Sequence, residues 1–403
     1  MQNQKQSQLE FVVLMAALMS IVALSIDAVL PALPLIGDYL SVSNPLDNPK
    51  LITSIFLGLG FGQLIFGPLS DSIGRKPIVY AGFVLFVIAS IICITTKSFE
   101  MMLFGRVLQG IGLAAPRTMC IAIVRDSYEG DYMAKIISIV VMVFILIPIV
   151  APTLGQFIMN NYGWKFIFTS TLIFSLLIVI WFGMRQPETL KDKYRIPYRL
   201  SIFKTGTVQF FKIKSAVVYT LLSGFITGSF MVYLSTSQQI FENQYDLAEE
   251  FPLIFASIAI SVGLSTFMNS QLVVRYGMRR IVHIAMVSFI VNALVFILCY
   301  HSGNNPSIEI LVTFFALQFF TIGFLFGNLR ALAMQPMGHI AGIGSALNGF
   351  ISTVMAVPIA NYIASFITDT VTPLFVGFLV CGLLSLVLFY MNTASVSKAM
   401  KKA

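Results

Sequence analysis

Residues 11–34 read FVVLMAALMSIVALSIDAVLPALP, an apolar run with one charge, Asp27, and two prolines near its end. A helix needs about 20 apolar residues to cross the roughly 30 Å hydrocarbon core of a bilayer. This run is long enough. A secretory signal has an apolar stretch of only about 7–15 residues behind a basic lead-in, so we read this segment as a first span that is retained.

Further runs of helical length follow at 49–69, 78–96, 101–124, 134–158, 165–184, 216–238, 251–273, 281–300, 308–329, 342–365 and 371–391, making twelve in all. Composition agrees: 57% of the 403 residues are hydrophobic and 10% charged, against about 25% charged in an average soluble domain. An ordinary soluble enzyme is excluded. In hydrocarbon the backbone must satisfy its own hydrogen bonds, and β-barrel strands would appear as shorter alternating segments. The expected fold is an all-α integral membrane protein with twelve transmembrane helices.

The net charge of +8 does not point to nucleic acid, because the basic residues are scattered between apolar runs instead of gathered on one face. They report topology. Lys50, Lys97 and Lys165 fall on one side, Arg106 and Arg117 lie within a span, and the remaining 20 of the 25 fall on the other side. The positive-inside rule makes that side cytoplasmic and places both termini there. Outer loops are acidic, with Glu242, Asp246, Glu249 and Glu250.

The longest polar stretch, 185–215, is basic and separates six spans from six. It divides the chain into an N-terminal bundle (1–184), a cytoplasmic linker (185–215) and a C-terminal bundle (216–403). Two readings of the linker stand, a solvated connection or a contact with anionic lipid, and Phe210–Phe211 among basic residues suits a short helix lying on the membrane surface. A repeat supports the division: GPLSDSIGRK at 67–76 is echoed by SQLVVRYGMR at 270–279, with Val274 in place of Asp71, and Leu108-Gln109 by Leu317-Gln318. Duplicated halves in the same orientation are the parallel type of transporter repeat, and the expected architecture is two pseudo-symmetric six-helix bundles about a midplane substrate site.

Three motifs carry a family resemblance. Gly67-Pro68-Leu69-Ser70-Asp71-Ser72-Ile73-Gly74-Arg75-Lys76-Pro77 is similar to the signature between spans two and three of the major facilitator superfamily. Arg106-Val107-Leu108-Gln109-Gly110 in span four is similar to the R-x-x-Q-G element of drug:proton antiporters, and Asp27-Ala28-Val29-Leu30-Pro31-Ala32-Leu33-Pro34 resembles the span-one stretch of the Bcr/CflA multidrug resistance type. In span five, Ala151-Pro152-Thr153-Leu154-Gly155-Gln156 keeps the proline and inner glycine of the exporter pattern but not its first and last glycines. The resemblance implies the major facilitator fold, alternating access, proton-coupled export of small amphiphilic molecules, a bacterial-type inner membrane and a monomer. It also implies that the 67–76 loop, through Gly67, Asp71, Gly74 and Arg75, latches the outward-facing state.

The three charges drawn inside spans need partners or water, since each costs about 2.5–3.5 kcal/mol in mid-membrane. Counted along their helices, Asp27 lies roughly 10 Å and Arg106 roughly 8 Å below the outer surface, at matching depth. We expect Asp27 and Arg106 to pair and line a cavity, with Asp27 exchanging protons; the competing reading is a static ion pair that locks two helices. Arg117, 11 residues after Arg106 on the same helical face with Gln109 between them, gives the cavity an excess of positive charge that favours anionic, zwitterionic or neutral substrates. It serves equally as a contact for helix-end carbonyls. Tyr233, Gln318 and Asn348 are the polar candidates for the substrate wall in the second half. Pro148, Pro152 and Gly155 mark one face of span five as a hinge or as close packing.

Asp71 is expected to accept hydrogen bonds from a helix N-terminus. The four cysteines read as small buried hydrophobes, with no disulfide or metal spacing. No catalytic motif links His283, His301 and His339, and no cofactor or metal is expected. The partners expected are a small-molecule substrate, protons and the lipid bilayer. An exporter of drugs or metabolites, a transporter of an anionic metabolite such as a siderophore, and a non-transporting receptor remain the readings to separate.

Overall fold

The computed structural model describes residues 7–192, 195, 200–301 and 303–400. Lys5, Lys193, Arg199, Lys401 and Lys402, counted above, lie outside them. The helices run α1 (Gln8–Asp27), α2 (Leu33–Tyr39), α3 (Lys50–Ile73), α4 (Arg75–Thr95), α5 (Phe99–Ser127), α6 (Gly130–Tyr162), α7 (Lys165–Arg185), α8 (Leu200–Lys212), α9 (Lys214–Tyr245), α10 (Phe251–Tyr276), α11 (Met278–Cys299), α12 (Ile308–Met334), α13 (Ala341–Ala364) and α14 (Thr372–Met400). No strand occurs among the described residues.

Among the described residues, eleven segments are long and apolar enough to cross a membrane, α1 and α2 together forming the first. The remaining run is α6, 33 residues long, whose side chains are described only in part. The protein is an all-α, multi-pass membrane protein. Within α6 the helix continues through Pro148 and Pro152, and within α5 through Pro116. Cys93, Cys120 and Cys381 are buried as expected, but Cys299, at the end of α11, is exposed.

The first run does not form one straight helix. α1 stops at Asp27, a 3-10 turn follows at Leu30–Ala32, and α2 begins at Leu33. Pro31 has no N–H to offer the carbonyl of Asp27 four residues earlier, which removes a rung of the α-helical ladder at the place where α1 ends. Asp27 therefore sits at a helix end and not in mid-helix.

The chain divides into two compact units, Met1–Ser43 with Ser54–Leu200, and Asn44–Thr53 with Ser201–Ala403. In the first, α1 packs against α5, α6 and α7, and α4 lies along α5. Glycine sets the tightest of these approaches: a Cβ on Gly58 would overlap the Val107 carbonyl, and one on Gly110 the Ile55 carbonyl, so α3 and α5 meet backbone to backbone. In the second, α9 packs against α12, α13 and α14, and α12 against α10 and α11. The repeat is visible locally, because α3 and α10 each end at a glycine with positive φ, Gly74 at 109° and Gly277 at 78°.

Candidate functional site

The span-one aspartate and the span-four arginine are both buried in the first unit. Arg106 is 1% exposed and Asp27 4%. Arg106 Nη1 donates to the Ser25 carbonyl at 3.0 Å and to Gln109 Oε1 at 3.0 Å, and its guanidinium lies 5.7 Å from the centroid of the Phe168 ring. Gln109 Nε2 donates to Ser90 Oγ at 2.9 Å. A chain of bonds thus runs from α4 through α5 to the end of α1. It stops two residues short of Asp27.

The expected direct pair is not formed: among the described residues no ion pair within 4.0 Å joins Asp27 to Arg106. The physical reason is the helix break. Ending α1 at Asp27 leaves the carbonyls of its last turn open to outside donors, and the guanidinium takes that of Ser25. Gly155 closes the other side, since a Cβ there would overlap the backbone of Ala28. Of the residues marked as a hinge, Gly155 thus packs α6 directly beside Asp27. Arg117 lies further along α5, only partly buried.

The three candidates in the second unit occupy helix contacts. Gln318, fully buried, bonds to Asn292 of α11 and donates from Nε2 to the Phe289 carbonyl at 3.2 Å. Asn348 Nδ2 donates to Thr220 Oγ1 at 2.8 Å, joining α13 to α9. Tyr233 is packed among Phe255, Phe315 and Phe319, with ring centroids 6.0, 5.0 and 4.4 Å away, and among the described residues its hydroxyl has no hydrogen-bond partner. Thus Gln318 and Asn348 spend their amides between helices, a role the sequence reading did not anticipate.

The 67–76 stretch, expected as a loop, is the end of α3 and the start of α4 with only Gly74 between them, and it is the centre of a second network. Arg75 Nη1 donates to Asp71 Oδ1 at 2.6 Å and to Ser70 Oγ at 2.7 Å, while Nε donates to Asp126 Oδ2 at 2.9 Å. The N-terminus of α4 is occupied by Glu188, not Asp71: the Arg75 and Lys76 backbone N–H groups donate to its two carboxylate oxygens at 3.0 and 2.9 Å. Asp71 lies in the last turn of α3, four residues before Arg75, and its carboxylate faces that side chain instead. Lys76 Nζ reaches the carbonyls of Gly183 and Gln186, both at 2.8 Å. Gly67 and Gly74 flank this network, and Gly74 supplies the turn between α3 and α4. The echo at 270–279 has no ion pair among the described residues; Arg275 and Arg280 lie over the Tyr276 ring at 5.3 and 5.8 Å.

Sequence reasoning missed Glu188, Asp126, Ser90 and Asn292. None carried a distinguishing signal: Asp126 and Glu188 are two of several acids on the basic side, and Ser90 and Asn292 are ordinary polar residues whose partners lie on other helices. Among the described residues no cluster of His, Cys, Asp or Glu is arranged to hold a metal.

Comparison with known proteins agrees with this architecture. A bicyclomycin resistance protein homolog of Haemophilus influenzae is 27% identical over 97% of this chain and 98% of its own length. The multidrug resistance protein MdtL of Shewanella oneidensis is 29% identical, covering 80% of this chain and 81% of its own. The crystal structure of a D-xylose-proton symporter superposes with a TM-score of 0.71 at 14% identity, covering 94% of this chain and 97% of that one, which speaks for the fold. A model of the Major Facilitator Superfamily matches residues 15–360. With its long apolar helices, the motif at 67–76 that joins α3 to α4 and this match over most of its length, the chain belongs to the Major Facilitator Superfamily, a family of membrane transporters and not of enzymes.

Proposed function

We propose that the protein exports small amphiphilic molecules, drugs or metabolites, in exchange for protons across a bacterial inner membrane, by alternating access of its two halves. The observation that carries this reading is Asp27: a buried carboxylate at a helix break, with no ion pair among the described residues, beside an arginine held on the neighbouring backbone. A carboxylate so placed can take up and release a proton without first breaking a salt bridge. Arg106 then supplies a fixed positive charge, and substrate or water entering the cavity changes how strongly that charge is felt. The names of the relatives support drug export. The 67–76 loop, with Gly67, Asp71, Gly74 and Arg75, acts in this reading as the cytoplasmic latch, tied down by Asp126 and Glu188. The protein works as a monomer, with both termini in the cytoplasm.

A second reading is favoured by Arg117. With Arg106 it gives α5 two arginines on one face against one aspartate, and this suits an anionic metabolite as substrate.

Both readings are tested by flux into proteoliposomes under an imposed pH gradient. Substrate movement that collapses with the gradient supports antiport, and Asp27→Asn should then abolish gradient-driven flux while substrate still binds. Full pH-dependent transport in Asp27→Asn would sink the coupling role. Competition by anions rather than by lipophilic cations selects the second reading.

A further inference from the structure

The linker helix α8 has a use that transport does not account for. Within the second unit Gly206 is pressed against Ile343 of α13, and Phe210 is fully buried. At 100° per residue, Lys204, Val208, Phe211 and Lys212 lie on the opposite side. That side is open: Val208 is 47% and Phe211 56% exposed. Phe267 on α10, at 64%, and Ile260, at 55%, show the same exposure on a helix that crosses the membrane. Two apolar side chains so exposed, between lysines, form a poor face for water and a good one for the boundary between headgroups and acyl chains.

We propose that α8 lies on the cytoplasmic leaflet and binds anionic phospholipid through this face, Val208 and Phe211 entering the acyl boundary while Lys204 and Lys212 meet the headgroup phosphates. Position and charge name this occupant. α8 ends at Lys212 and the membrane-crossing α9 begins at Lys214, so one residue separates the helix from the edge of a span. Among the described residues Lys204, Lys212 and Lys214 form no ion pair, which leaves their charges available to phosphate. A lysine near an anionic surface contributes about fivefold in affinity, so the pair gives lipid selectivity as well as attachment.

The test places a nitroxide at position 211 of the full chain, as Phe211→Cys in a Cys299→Ser background, because the other three cysteines are buried. Accessibility to oxygen and to an aqueous nickel chelate is measured in nanodiscs of phosphatidylcholine alone and of phosphatidylcholine with increasing phosphatidylglycerol. The expected result is that phosphatidylglycerol raises oxygen access and shields the label from nickel. The double variant Lys204→Gln/Lys212→Gln, checked for an unchanged melting temperature, should need several-fold more phosphatidylglycerol for the same protection. Equal nickel access in both lipids overturns the proposal. So does a label immobilised alike in lipid and detergent, which would mean that protein covers the face, or protection that persists unchanged in the lysine variant.

Discussion

Glu188 shows how one side chain can hold a junction together. Burial pushes its carboxyl up, but backbone N–H groups of Leu190, Arg75, Lys76 and Thr189 more than offset this and hold it below the ordinary glutamate range. A depressed native value means that its contribution is fully present above the unfolded value, about 4.3, and is lost as pH falls through the native one. Glu188→Gln should therefore lower stability by about 1 kcal/mol near neutral pH. Melting curves of the detergent-purified protein should show that difference shrink on acidification. Arg75 and Asp71 could be read from the 67–76 stretch because both lie within it. Glu188 could not, since it stands 113 residues from Arg75 and its own neighbourhood looks like an ordinary linker.

At the scale of helices, small residues and amides decide which elements meet. Gly155 lets α6 reach the backbone at Ala28, and even one methyl group has no room there. Gly155→Ala is expected to destabilise the protein by about 1–3 kcal/mol, the usual cost of overpacking, and to lower transport by shifting the helix end that carries Asp27. Melting temperature and flux of the same sample would check both effects; an unchanged melting temperature contradicts the close approach. The bond between Asn292 and Gln318 calls for a double-mutant cycle with Asn292→Ala and Gln318→Ala. Interhelical bonds in membranes couple by about 0.6 kcal/mol on average, and a value near zero would remove this pair as a link between α11 and α12. The Leu108-Gln109 and Leu317-Gln318 echo announced that these positions correspond. It could not announce that each glutamine bonds to the preceding span, Gln109 to Ser90 and Gln318 to Asn292, because that depends on how neighbouring helices are rotated.

For the molecule as a whole, charge placement predicts an orientation with both termini in the cytoplasm. In a Cys299→Ser background, a membrane-impermeant maleimide added to intact cells should label Glu249→Cys, in the acidic turn before α10, and not Arg279→Cys, in the first turn of α11. The reverse pattern would invert the topology.

The spans could be read from the chain by itself, because a bilayer obliges each span to satisfy its own backbone and so makes the signal local. Only the tertiary structure decided what the buried polar groups touch. Arg106 takes a carbonyl 81 residues away instead of the carboxylate at matching depth, and α4 is capped by a glutamate from beyond α7. Depth along a helix can be counted from sequence; which neighbour a side chain meets at that depth depends on helix rotation and close packing, fixed here by glycines such as Gly58, Gly110 and Gly155.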